Sequence, residues 1–106
     1  MNPQVIVREQ ATNDALEIAA YIAADSTDLA HRFLSAVQEC YGKLAENPQI
    51  GPSVGRRHPK LRKLRKWPVQ GFLKYIIFYE VIADGIEIVA VLHGARRIYR
   101  VLREER

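Results

Sequence analysis

The chain has 106 residues, a formal net charge of +4 and a single cysteine. At that length it reads as one domain, residues 1–106, able to bury roughly two-thirds of its unfolded surface. No apolar run approaches the ~20 residues of a membrane helix. The amino-terminal Met-Asn-Pro-Gln lacks the charged and apolar segments of a signal peptide.

Cys40 has no internal disulfide partner and lies in a helical apolar pattern. It reads as core in a reducing compartment, so the expected location is cytoplasmic. The charge is uneven. Residues 1–50 carry Arg8, Arg32 and Lys43 against seven acids, whereas residues 51–106 carry thirteen basic groups against five. Seven of the thirteen fall between Arg56 and Lys66 with no acid among them. Such a field favours an anionic partner: nucleic acid, an anionic surface or an acidic protein.

In chain order, Val5-Ile6-Val7 is a short strand candidate. From Thr12 the period changes, with Ala15, Ile18, Ala19, Ile22 and Ala23 marking one helical face. Thr12 or Asn13 can cap this helix, and Asp14 and Glu17 suit its positive end. Asp25-Ser26-Thr27-Asp28 breaks it and offers caps for a second helix, which is expected to bury Leu29, Phe33, Ala36, Val37, Cys40 and Leu44. Its acids Asp28, Glu39 and Glu46 are expected to face out. Asn47-Pro48 stops it, because a residue before proline avoids the helical region. The two helices form an αα-hairpin suited to covering a sheet.

The prolines and glycines between Asn47 and Pro59 mark a loop. A basic strand follows around Leu64–Trp67, with Pro68 confining it to an edge. Residues Phe72 to Arg97 then read as two apolar strands around Ala83-Asp84-Gly85, where Asp-Gly supplies the positive φ of a tight hairpin. In the first strand Leu73, Tyr75, Ile77, Tyr79 and Val81 alternate with Phe72, Ile76, Phe78 and Ile82. In the second, Ile86, Ile88, Ala90 and Leu92 oppose Val89 and Val91. Strands apolar on both faces belong in the middle of a covered sheet. Ile98, Val101 and Leu102 suit a short terminal helical turn. The expected fold is α+β, in the order βααβββ: a mostly antiparallel sheet covered on one face by an αα-hairpin, with a short carboxy-terminal helical turn.

These residues resemble the ParE toxins of the RelE/ParE toxin–antitoxin superfamily. The likeness is carried by Tyr21-Ile22-Ala23, Phe33, Asn47-Pro48 and Gly51, then by Trp67-Pro68-Val69 and Tyr75-Ile76-Ile77-Phe78-Tyr79. It ends with Asp84-Gly85 and Leu92-His93-Gly94-Ala95-Arg96. One departure is Arg97, where the family usually has aspartate, which makes this corner more basic. The resemblance implies a toxin that inhibits DNA gyrase by binding and blocks replication, held in a hetero-oligomer by an acidic ParD-type antitoxin. The superfamily's other branch, of the RelE kind, cleaves messenger RNA on the ribosome.

The candidate residues follow from that choice. Target binding is expected at His93, Arg96 and Arg97, and antitoxin docking at Arg57, Arg62, Arg65 and Lys66, since unfolded acidic segments gain charge-assisted bonds on arginines. An RNase would need a base, an acid and cations for the phosphorane. Arg65, Lys74, His93, Arg96 and Tyr99 could supply them. Four of them also have a plain packing role: His93 ending a strand, Tyr99 beside Ile98 and Val101, and Arg65 and Arg96 holding the sheet to the terminal helix. Trp67 stands alone, so the basic run has no aromatic interleaving for single-strand stacking. His31, His58 and His93 lie far apart in sequence and there is no phosphate-binding glycine loop, so no metal or cofactor is expected.

Overall fold

The computed structural model describes residues 3–55 and 61–94. Its elements are β1 (Gln4–Val7), α1 (Glu9–Ala23), α2 (Thr27–Glu46), β2 (Leu64–Val69), β3 (Phe72–Ile82) and β4 (Gly85–His93). They form one sheet in the order β1-β4-β3-β2, in which only the β1–β4 pair is parallel. The two apolar strands are central and the proline-bearing β2 is an edge, as their sequences require. The expected terminal helical turn lies outside the described residues. Among the described residues no helix is long and apolar enough to cross a membrane.

α1 is capped at Arg8, four residues before Thr12 and five before Asn13, so both expected capping residues lie inside it. The boundary is set by the sheet instead. The Arg8 N–H donates to the Ile88 carbonyl (3.0 Å), and the Arg8 carbonyl then accepts from Thr12 N–H to open the helix. No side chain caps α1. α2 follows its sequence signals, with Ser26 Oγ accepting from Leu29 N–H at 3.1 Å and Asn47 closing the last turn. Leu29, expected in the core, is exposed, and Ala23 likewise. Ala30, Tyr41 and Ala45 are buried in addition to Phe33, Val37, Cys40 and Leu44.

Asp14 is not a solvated partner of the helix dipole but a buried carboxylate. It takes a hydrogen bond from Val91 N–H (3.1 Å) and one from Gln10 Nε2 (2.8 Å). The reason is topological. β1 pairs with β4 only over Gly85–Ile88, so the far edge of β4 beyond Ile88 has no strand beside it. The Asp14 carboxylate fills one place of the missing strand, because a buried N–H must find an acceptor.

The sheet has two apolar faces. Phe33, Val37, Leu44 and other helix residues pack on Val69, Ile77, Tyr79, Ile86, Ile88 and Val91. The opposite face holds Leu61, Leu64, Phe78, Val89, Ala90 and Leu92. Strict alternation in β4 is therefore broken: Ile86 and Ile88 face the helices, but Ala90 and Leu92 do not. The register slips at this point, with Phe78 opposite Ala90 and Tyr79 opposite Ile88. Val89 is the extra residue of a bulge, and one extra residue turns every later side chain to the other face.

A second irregularity moves Phe72. Pro68 pairs with Ile76 but Val69 pairs with Phe72, so Leu73, Lys74 and Tyr75 have no counterparts in β2. Phe72 joins the helix side, its ring 5.3 Å from that of Phe33, while Leu73 is 67% exposed. The β3–β4 turn also differs in detail. Its two residues are Ala83 and Asp84, and no non-glycine residue among those described has positive φ. Gly85, just past these two residues, has the expected positive φ (159°), and a Cβ there would also lie 1.9 Å from the Gln4 carbonyl oxygen of β1.

Candidate functional site

The side chains singled out from the sequence separate into three groups. Arg57, Arg96, Arg97 and Tyr99 lie outside the described residues. Arg65 is committed to the fold: its guanidinium donates to the Gly51 carbonyl and to Gln49 Oε1, and more weakly to the Gln49 carbonyl at 3.3 Å. Lys66, Lys74 and His93 come together around one groove, and Arg62 is exposed beside the strand that forms its wall.

Arg65 belongs to a clamp that fixes the loop after α2. Tyr79 Oη donates to the Pro48 carbonyl (2.8 Å) and accepts from Gly51 N–H (2.9 Å). Burial raises the Tyr79 pKa, opposed by the Gly51 hydrogen bond and the Arg65 charge. Gly51 lies so close that a Cβ would stand 2.6 Å from both Tyr79 Oη and the Lys66 carbonyl oxygen. Beyond it the loop pairs with the outer edge of β2: Lys66 N–H donates to the Pro52 carbonyl (3.1 Å) and Val54 N–H to the Leu64 carbonyl (2.8 Å). Pro68, two residues past Lys66, sits where a main-chain N–H would point away from β3, so its ring removes no ladder bond.

The groove has a volume of about 410 Å³. Pro52 walls it on the loop side, Lys66 and Pro68 on β2, Leu73, Lys74 and Ile76 on β3, and His93 and Gly94 where β4 ends, with Trp67 also contributing. The β3 irregularity creates this shape by pushing Leu73 and Lys74 outward, and Gly94 N–H ties the Lys74 carbonyl to the end of β4 at 2.8 Å. Neither lysine makes an ion pair with a described residue. Among the described residues no acid lines the groove.

His93 is exposed at the groove's end, its ring edge-on to Tyr75 at 5.3 Å. Tyr75 in turn packs edge-on against Phe33 of α2 at the same distance. This ring series, with Phe72 also packed against Phe33, joins the helices to the mouth of the groove. On the helix side Lys43 Nζ lies 5.6 Å from the Trp67 ring centroid, within cation–π range.

Chemically the groove offers two ammonium groups without an ion pair among the described residues, and an imidazole, around a mainly apolar floor. It can hold an apolar side chain and the negative charges flanking it. A catalytic set is harder to assemble, since the guanidinium of Arg65 is already bonded to its loop. Two signals were missed at the sequence level. Leu73 reads as core in an alternating strand, and Tyr79 as one more apolar strand residue. The loop glycine and prolines at 48–52 were the available sign that a buried hydroxyl would be needed to hold them.

No curated protein matches the chain at a significant level. A family model described as the ParE toxin of the type II toxin-antitoxin system, parDE, matches residues 5–98 and so takes in every described element from Val5 onward. The chain belongs to the ParE toxin family of type II toxin–antitoxin systems.

Proposed function

We propose that this protein acts by binding DNA gyrase and blocking replication, and that an acidic ParD-type antitoxin neutralises it in a hetero-oligomer. The family match over residues 5–98 carries this reading. The state of Arg65 supports inhibition by binding over catalysis, because a cation needed for phosphorane charge is here spent on Gln49 and Gly51. In this reading His93, Arg96 and Arg97 meet the target, and the basic stretch from Arg57 through Arg62 to Lys66 meets the antitoxin. The site of action is the cytoplasm, where gyrase works.

The alternative is a ribosome-dependent endoribonuclease of the RelE kind, and the convergence of Lys66, Lys74 and His93 is the observation that favours it. Purified protein added to gyrase and relaxed plasmid decides between them. Loss of supercoiling at stoichiometric protein, with transcripts intact in expressing cells, is expected. Unchanged supercoiling together with cuts at ribosomal A-site spacing would replace the gyrase reading with the RNase.

A further inference from the structure

We propose that the groove between β2 and the outward-turned part of β3 seats one bulky apolar side chain from an acidic, extended segment of the neutralising partner. The flanking carboxylates of that segment rest on Lys66 and Lys74. The inference rests on the toxin reading for the partner's identity, and on the groove itself for the partner's chemistry.

Leu73 is a large apolar side chain left 67% exposed next to an apolar concavity. Isolated exposed leucines are ordinary, but one bordering a concave apolar floor marks an interaction surface. The floor is supplied by Pro68 and Ile76, and its volume of about 410 Å³ suits an aromatic or branched side chain with some of its main chain. Two lysines free of described acidic partners supply the charge, and no described acid lines the groove beside them. The complementary ligand is apolar at its centre and anionic at its flanks.

Other occupants fit less well. An added β-strand needs a row of open main-chain groups, but the outer edge of β2 is already bonded to Pro52 and Val54, and Pro68 has no N–H. Recognition therefore goes through side chains. Residues 95–106 carry five arginines and two glutamates, which repel a basic rim. RNA would bring phosphates to the lysines but nothing to match the proline, leucine and isoleucine floor.

The test uses the full chain and random twelve-residue peptides displayed on phage, selected on the wild-type protein and counter-selected on Leu73→Glu. Because Leu73 is exposed, that variant should melt like the wild type. Exposed Lys74→Glu provides a second variant that leaves the floor intact. Selected peptides should carry one Phe, Leu, Ile or Trp flanked by Asp or Glu. As synthetic peptides without tryptophan they should change the emission of Trp67, the chain's single tryptophan.

Affinity should drop roughly tenfold or more on Leu73→Glu, on Lys74→Glu, or when the peptide's apolar residue becomes Ala. It should also weaken with added salt. Peptides without acids or without an apolar centre, equal binding to Leu73→Glu, or displacement by oligouridylate would each overturn the proposal. Growth inhibition by the wild-type chain is read separately. A harmless chain that selects the same peptides would remove the toxin reading and leave the groove's chemistry standing.

Discussion

Tyr79 shows how much a single hydroxyl can organise. Its ring is buried in the sheet, yet its oxygen reaches both Pro48 and Gly51, so the loop after α2 is bonded to the middle of β3. Tyr79→Phe keeps the ring and leaves a buried N–H and a carbonyl without their partner, at a cost of about 1–3 kcal/mol. Denaturant melts should show that loss, and hydrogen exchange should show faster opening at residues 49–54. Equal exchange in both proteins would mean that Arg65 and the main-chain bonds to β2 hold the loop without the hydroxyl. Tyr41 makes a different prediction. Burial raises its pKa well above the ordinary 10.0, and the nearby Asp14 charge raises it further. The folded chain thus keeps a proton that the unfolded chain releases above pH ~10, so stability is full below that pH and falls as pH rises beyond it. Urea midpoints should decline between pH 9 and 11, and Tyr41→Phe should flatten the decline. An unchanged slope in that variant would assign the alkaline loss elsewhere.

At the scale of elements, β3 and β4 hold both cores together, because Ile77 faces the helices and Phe78 the opposite side. Both are fully buried. Ile77→Ala should cost about 2–5 kcal/mol and Phe78→Ala about 3–5, a large share of a typical ~5–15 kcal/mol total. Thermal melts should fall for both, with activity lost through unfolding; an unchanged melt for either would deny that strand its central place. The element order, the central strands and the edge position of β2 were legible because periodicity, Pro68 and the helix breaks at 25–28 and 47–48 all act locally. The bulge at Val89 was not, since an extra valine among valines and isoleucines leaves an alternating apolar pattern looking intact. The start of α1 was hidden for another reason: a tertiary bond from Arg8 to Ile88 overrode the capping residues. The candidate site was half legible. Lys74 and His93 were visible as chemistry, but their meeting place depends on the three residues of β3 that have no counterpart in β2. Sequence spacing does not encode that.

For the whole molecule, inhibition and catalysis predict different responses to substitution. An RNase needs several residues acting as a unit on one phosphate, so removing either proton-transfer group should slow cleavage by about 10²–10⁴-fold. A binder spreads its affinity over contacts, and an exposed imidazole edge-on to Tyr75 is one contact among many. His93→Gln removes titration while keeping a hydrogen-bonding group, and Tyr99→Phe removes one hydroxyl and keeps the ring. Under gyrase inhibition both should retain growth inhibition close to wild type. Arg96→Ala or Arg97→Ala should weaken target binding by about 1 kcal/mol or more where the lost charge is desolvated in the complex. Arg97 carries particular interest because it stands where related toxins usually have an acid, so Arg97→Asp should act at least as strongly as Arg97→Ala. The measurement is growth inhibition at matched expression for all five variants, with thermal melts to confirm folding. Folded His93→Gln and Tyr99→Phe proteins that lose toxicity, beside active arginine variants, would transfer the assignment to catalysis.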